Sequence, residues 1–148
     1  MNFLVTFATK WSDFDPNQHM RHTAYNDYAA EVRVRYFAKN NLTIADFSRL
    51  GLGPILFTEE TSFRKEVLMG ENITVNMKLA GVSKNYERWK IVHEVFNEAG
   101  KLAAVIKVYG AWIDMKQRKL AIPPKEIEGL FASAQKTDDF EEILVKKV

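Results

Sequence analysis

The sequence predicts an α+β domain in which an antiparallel sheet of about five strands wraps one long helix. Three observations predict it. The apolar period is helical from Thr23 to about Lys39 and becomes two from Ile55 onward. The helical stretch is apolar on two sides, Tyr25, Tyr28, Ala29, Val32 and Tyr36 on one and Ala30, Val34 and Phe37 on the other, which marks an enclosed helix. Leu102 to Ile113 is almost continuously apolar, the pattern of a central strand buried on both faces.

Phe3 to Lys10 alternates as a first strand. Asp13 to Arg21 reads as a loop, punctuated by Asp15-Pro16-Asn17, and Thr23 can cap the long helix that follows. Asn40-Asn41 ends that helix. Thr43 to Leu50 reads as a short second helix stopped by Gly51. Strands follow at Ile55 to Lys65, at Glu71 to Val82 and at Tyr86 to Asn97, the last two parted by a turn at Ser83-Lys84-Asn85. Asn97 to Gly100 is a hairpin turn into Leu102 to Ile113. Pro123-Pro124 closes the domain, so residues 1–124 are expected as the domain and 125–148 as a polar C-terminal tail with room for a short helix.

Composition narrows the function. The chain has 148 residues, enough for a sizeable core in one domain. A net charge of +2 with no block of like charge disfavours a dedicated nucleic-acid binder. The absence of cysteine excludes disulfides, thiol nucleophiles and cysteine-type zinc sites. No apolar run approaches membrane-spanning length, and MNFLVTFATK lacks the basic start and apolar core of a signal peptide. A cytoplasmic location is the expectation.

The chemistry concentrates between Trp11 and Arg35. Asp13 and Asp15 precede a proline, and His19 and His22 lead into the helix. A carboxylate beside the free N–H groups of a helix start is suited to attack on a carbonyl, because those groups and the helix dipole stabilise the oxyanion that develops. Asp15 has a plainer reading as the acceptor of its own turn, and Asp13 reads as a loop-stabilising acceptor. His19 and His22 lack convincing third and fourth ligands, so neither a metal nor another cofactor is expected. His93, mid-strand among core positions, reads as structural.

These residues resemble the 4-hydroxybenzoyl-CoA thioesterase family, of the hot-dog fold, over roughly Phe3 to Pro123. Asp13-Phe14-Asp15 matches its Asp-x-Asp, Asp15-Pro16 the Asp-Pro variant and His19-Met20 its His-apolar pair. Tyr25, Tyr28, Glu31 and Arg33 fall at the family's helix offsets, and Gly70-Glu71 resembles its Gly-acid pair. Gln18 stands where many members have Gly, and Arg21-His22 where many have Asn-Asn.

The resemblance implies a hot-dog domain that hydrolyses an acyl thioester to a carboxylic acid and free CoA. Asp15 would be nucleophile or general base, and the N–H groups of His22 and Thr23 the oxyanion site. His19, Tyr25, Glu59 and Glu60 are candidates for the substrate pocket, and Arg64, Lys65, Lys84 and Arg88 for the phosphates of CoA. The partners implied are acyl-CoA or an acyl-carrier protein, and a second copy, as a homodimer or dimer of dimers. A non-catalytic acyl-thioester binding protein is the alternative, and a hydratase is disfavoured by the Asp-x-Asp motif.

Overall fold

The structure, a computed structural model, describes residues 2–145. Strand β1 (Phe3–Phe7) leads through a 3-10 turn at Trp11–Asp13 to helix α1 (His22–Lys39) and helix α2 (Ile44–Leu50). Four long strands follow: β2 (Leu52–Phe63), β3 (Ile73–Ser83), β4 (Arg88–Phe96) and β5 (Leu102–Asp114). The chain then forms β6 (Lys119–Leu120), helix α3 (Lys125–Ala132) and β7 (Lys136–Ile143). The sheet order is β1-β3-β4-β5-β2, antiparallel throughout this path. With α1 packed on its concave face, this is the hot-dog arrangement expected.

Several boundaries move for identifiable reasons. Helix α1 starts one residue before Thr23: its N-cap is Arg21, in extended conformation, with no side-chain cap. Thr43, in contrast, caps α2 with Asp46 in a reciprocal capping box, and Gly51 ends it in the left-handed region at φ 65°. β2 starts at Leu52 and tolerates Pro54 because it is an edge strand, where a missing N–H costs no ladder bond. β5 is interior, yet only one of its faces is fully covered: Lys107 is exposed and Val105 and Tyr109 are half-buried on the other.

Beyond Pro124 the chain continues as a helix and a strand packed on the rest. α3 buries Ile127, Leu130 and Phe131, and the Tyr36 hydroxyl donates to the Leu130 carbonyl over 2.9 Å. β7 pairs in parallel with the second half of β3, as β1 pairs antiparallel with the first, so the two share one edge. The polar composition of the segment hid this strand, because an edge strand keeps one side in water. Residues 146–148 of the tail lie outside the described residues.

Helix α1 is not enclosed on both sides. Its buried face presents Ala24, Tyr25, Ala29, Val32, Tyr36 and Phe37, while Val34 on the second strip is 44 % exposed. That strip looks along a seam with β2. The Tyr25 and Phe63 rings meet edge to face at 5.3 Å, and the Thr61 hydroxyl donates to the Asn26 side chain over 2.8 Å. These contacts place β2 against the N-terminal half of α1, with a cavity at either end.

Candidate active site

The loop before α1 is held from both flanks. The buried Asp13 carboxylate accepts from the Lys10 N–H at 3.0 Å and from the Tyr28 hydroxyl, and its carbonyl accepts from the Arg21 N–H at 2.8 Å. Burial and the neighbouring Asp13 carboxylate push the Tyr28 phenol well above its ordinary range. Asp13 therefore clamps the loop. On the other flank the Met20 N–H donates to Val67 at 2.8 Å, the Met69 N–H donates to Gln18 at 3.0 Å, and His19 bridges to Leu68.

Within this frame Asp15 is half-buried. Its Oδ1 accepts from the N–H groups of Asn17 at 2.9 Å and His19 at 3.2 Å, the turn expected of Asp-Pro-Asn. Its Oδ2 accepts no hydrogen bond among the described residues. The turn puts Gln18 in the left-handed region at φ 65°, which accounts for the glycine common at this place.

At the start of α1 the Ala24 N–H is used by the Arg21 carbonyl at 3.0 Å. The N–H groups of His22 and Thr23 come too early for intrahelical bonds and have no side-chain cap. The Thr23 hydroxyl accepts from Arg21 rather than capping the helix. A cavity of about 360 Å³ opens here, and Asp15, His19, His22, Tyr25, Phe63 and Arg64 are among the residues that line it.

Of the expected pocket residues, His19 and Tyr25 line this cavity. The His19 Nε2 lies 3.4 Å from a Glu66 carboxylate oxygen. Tyr25 is buried with its phenol raised, chiefly by burial and then by the charges of Glu66 and Glu71. Glu59 and Glu60 do not join this cavity. Alternation along β2 sends Glu60 to the outer face, where it lines a different cavity with Lys107 and Tyr109. Glu59 shares the helix-facing side with Thr61 and Phe63, and its charge is felt by Arg33.

Of the four scattered bases only Arg64 and Lys65 reach the cavity; Arg88 lies over the Phe57 ring and donates to the Tyr109 hydroxyl. The sequence reading missed Phe63 and Glu66, which follow β2 around its end and carry no local motif. Among the described residues no group of three or more His, Asp or Glu side chains is arranged to hold a metal ion. No helix among them is long and apolar enough to cross a membrane.

A half-buried carboxylate with a free oxygen, a helix start with unused donors and a hot-dog scaffold thus share one place. The profile of the thioesterase-like superfamily matches residues 9–131. The chain belongs to that superfamily, and is a thioester hydrolase by class. No curated protein matches the sequence significantly.

Solved structures share its fold. A hypothetical protein from Staphylococcus aureus, in complex with CoA, is 19% identical with a TM-score of 0.83, over 99% of this chain and 96% of that one. A DHNA-CoA thioesterase from the same organism is 17% identical with a TM-score of 0.80, over 88% and 89%. A 1,4-dihydroxy-2-naphthoyl-CoA thioesterase from Synechocystis is 16% identical with a TM-score of 0.79, over 90% and 97%.

Proposed function

We propose that the protein is an acyl-CoA thioesterase in which Asp15 is the reacting carboxylate. The observation that supports this most is the meeting of a free Asp15 oxygen with unpartnered N–H groups at the start of α1, at one cavity. In the general-base form, Asp15 takes a proton from water as the water oxygen bonds to the thioester carbon. The His22 and Thr23 N–H groups donate to the oxyanion. The carbon–sulfur bond then breaks and the thiolate leaves, taking up the proton. In the nucleophilic form the Asp15 oxygen bonds first, CoA thiolate departs, and water hydrolyses the anhydride.

Arg64 and Lys65, which line the cavity, suit the phosphates of CoA, and a structural relative in complex with CoA and another that is a DHNA-CoA thioesterase support that carrier over an acyl-carrier protein. Nothing in the cavity selects the 4-hydroxybenzoyl group. A panel of acyl-CoAs with a thiol-reactive dye identifies the acyl group.

Asp15→Asn should abolish thiol release while circular dichroism stays that of the parent; parental turnover in a folded variant would refute the assignment. Label appearing in Asp15 after a single turnover in ¹⁸O-water identifies the anhydride route, with water attacking the Asp15 carbonyl carbon.

The protein is also proposed to act as a homodimer or dimer of dimers. The β3 edge is shared by β1 and β7, but β2 offers twelve residues of free edge with Leu56, Phe57 and Phe63 exposed. Light scattering at micromolar concentration should give at least twice the monomer mass.

A further inference from the structure

A second cavity opens where the same helix passes the start of β2. It measures about 610 Å³, within the range of small-molecule sites. Ala30, Val34, Phe37, Leu52, Leu56 and Trp89 form much of a mostly apolar lining. One lining residue is charged and almost fully buried: Arg33, at 9 % exposure.

Its surroundings do not neutralise it. Arg33 Nη1 lies 3.1 Å from His93 Nε2, and His93 Nδ1 lies 2.7 Å from the Asn76 carbonyl. The carbonyl can only accept, so Nδ1 carries the proton and Nε2 accepts from Arg33. Burial, reinforced by the Arg33 charge, lowers His93 to about 3, so it supplies a hydrogen bond and no counter-charge.

Arg33 makes no ion pair among the described residues. Burial lowers its own pKa from the ordinary value, against the opposing pull of Glu59, which is exposed across the seam. Four of its five N–H donors have no protein partner among the described residues.

A guanidinium with spare donors in an apolar cavity matches one ligand class. A neutral apolar molecule would leave the cation unpaired. A phosphate monoester would bring more charge than the one buried guanidinium balances, the other lining cation, Lys116, being exposed to solvent. A carboxylate matches it in charge and in its two-oxygen geometry. We propose that this cavity binds an apolar carboxylate, its head on Arg33 and its body against the side chains of α1, β2 and Trp89.

Two sources have this chemistry. One is a free carboxylic acid, the product class of the reaction proposed above; that link rests on the thioesterase reading, whereas the binding does not. The other is the far end of an acyl group bearing a second carboxylate, since Arg33 lies roughly 12 Å along the helix from Tyr25.

The test is calorimetric titration of the intact protein with octanoate and with 1-octanol. Octanoate should bind at one site per chain, roughly tenfold or more tighter than the alcohol, and Arg33→Gln should erase that difference. Val34→Trp, at an exposed helix position, should fill the cavity and weaken both; with the headgroup comparison it decides the matter if Arg33→Gln does not fold. Equal binding of acid and alcohol, or octanoate binding indifferent to Val34→Trp, overturns the proposal. So does an absence of binding combined with loss of the dimer in Arg33→Gln, which would make a second copy the occupant.

Hydrolysis of octanoyl-CoA and its ω-carboxylated counterpart separates the sources. A preference for the second substrate that Arg33→Gln removes puts the substrate's far end on Arg33. Octanoate binding without that preference puts a free acid there. Octanoate binding with no hydrolysis of any acyl-CoA refutes the thioesterase reading alone; hydrolysis without octanoate binding refutes this one alone.

Discussion

The two cavities beside α1 are built in opposite ways. At the helix start, Asp15, His19, His22 and Tyr25 come from eleven consecutive residues, and the cavity is open and mixes polar with apolar lining. Further along, the second cavity draws on α1, α2, β2, β4 and the turn after β5, from Ala30 to Lys116, and is mostly apolar, with Arg33 its one buried charge. A site made by one loop and the helix it feeds is written as a motif. A site made by packing is written as scattered residues that individually look like core. On the two proposals above, chemistry falls to the first and selection among ligands to the second.

The largest expected effect tests whether the two are separable. Asp15→Asn should lower kcat/KM for acyl-CoA by roughly 10²–10⁴-fold, the range for a lost acid–base group. Octanoate affinity in the same variant should stay within about twofold, because Asp15 does not line the Arg33 cavity. A parallel loss of octanoate binding would mean that the two cavities are one site, and the contrast drawn above would fail.

The second effect strikes the packed cavity only. Gly110 faces Trp89 across the β4–β5 pairing. A Cβ there would lie 2.3 Å from the Ile55 carbonyl oxygen and 2.5 Å from the Trp89 ring. Neither backbone nor a fully buried indole yields cheaply, so Gly110→Ala should cost roughly 1–3 kcal/mol in denaturant unfolding. Displacement of Trp89 should also weaken octanoate binding. Parental stability would show that β2 or Trp89 can shift, and that the cavity wall is soft.

Legibility in the sequence follows the same division. The strand-helix-strand order was readable because local periodicity records which face of an element is buried: Ile73, Val75, Met77 and Leu79 alternate with Thr74, Asn76 and Lys78. Asp15 and the start of α1 were readable because their partners lie within a few residues. β7 was not, because Thr137, Asp138, Asp139 and Glu141 read as solvent-facing and its pairing partner is some sixty residues away in β3. The choice between Glu59 and Glu60 was illegible for a related reason: strand alternation says that they face opposite ways, but not which of them meets α1. Arg33 marked only a helix offset and His93 a structural strand position, and only β4 packing beneath α1 makes them a pair.

That pair supplies a pH dependence. His93 has an ordinary pKa of 6.5 and about 3 when folded, burial being the main cause and the Arg33 charge the second. Between those values the unfolded chain binds the proton and the folded one does not. Stability is therefore complete above about pH 6.5 and is lost as pH falls toward 3, at a slope of at most roughly 1.4 kcal/mol per pH unit. Urea unfolding at pH 7 and pH 5 measures it above the range where carboxylates titrate most. His93→Gln, whose amide can still donate to Asn76 and accept from Arg33, should flatten the slope. An equal slope in that variant would assign the effect to other groups and leave His93 accessible to protons.

The smallest effect belongs to the loop. Gln18 is exposed and holds φ at 65°, a conformation that costs an L-residue with a Cβ about 1–2 kcal/mol. Glycine would remove that cost but add about 0.5–1 kcal/mol of chain entropy to be lost on folding. Gln18→Gly should therefore raise stability by roughly 0.5–1 kcal/mol, seen as a small rise in Tm. The Gln18 carbonyl that accepts from Met69 is backbone and survives the change, so the Asp15 turn should keep its shape. Hydrolysis then isolates the side chain: an unchanged kcat/KM would make Gln18 a conformational substitute for the glycine. A shifted acyl preference with unchanged stability would instead place the Gln18 amide in contact with substrate beside Asp15, and move part of the selection from the Arg33 cavity to the loop.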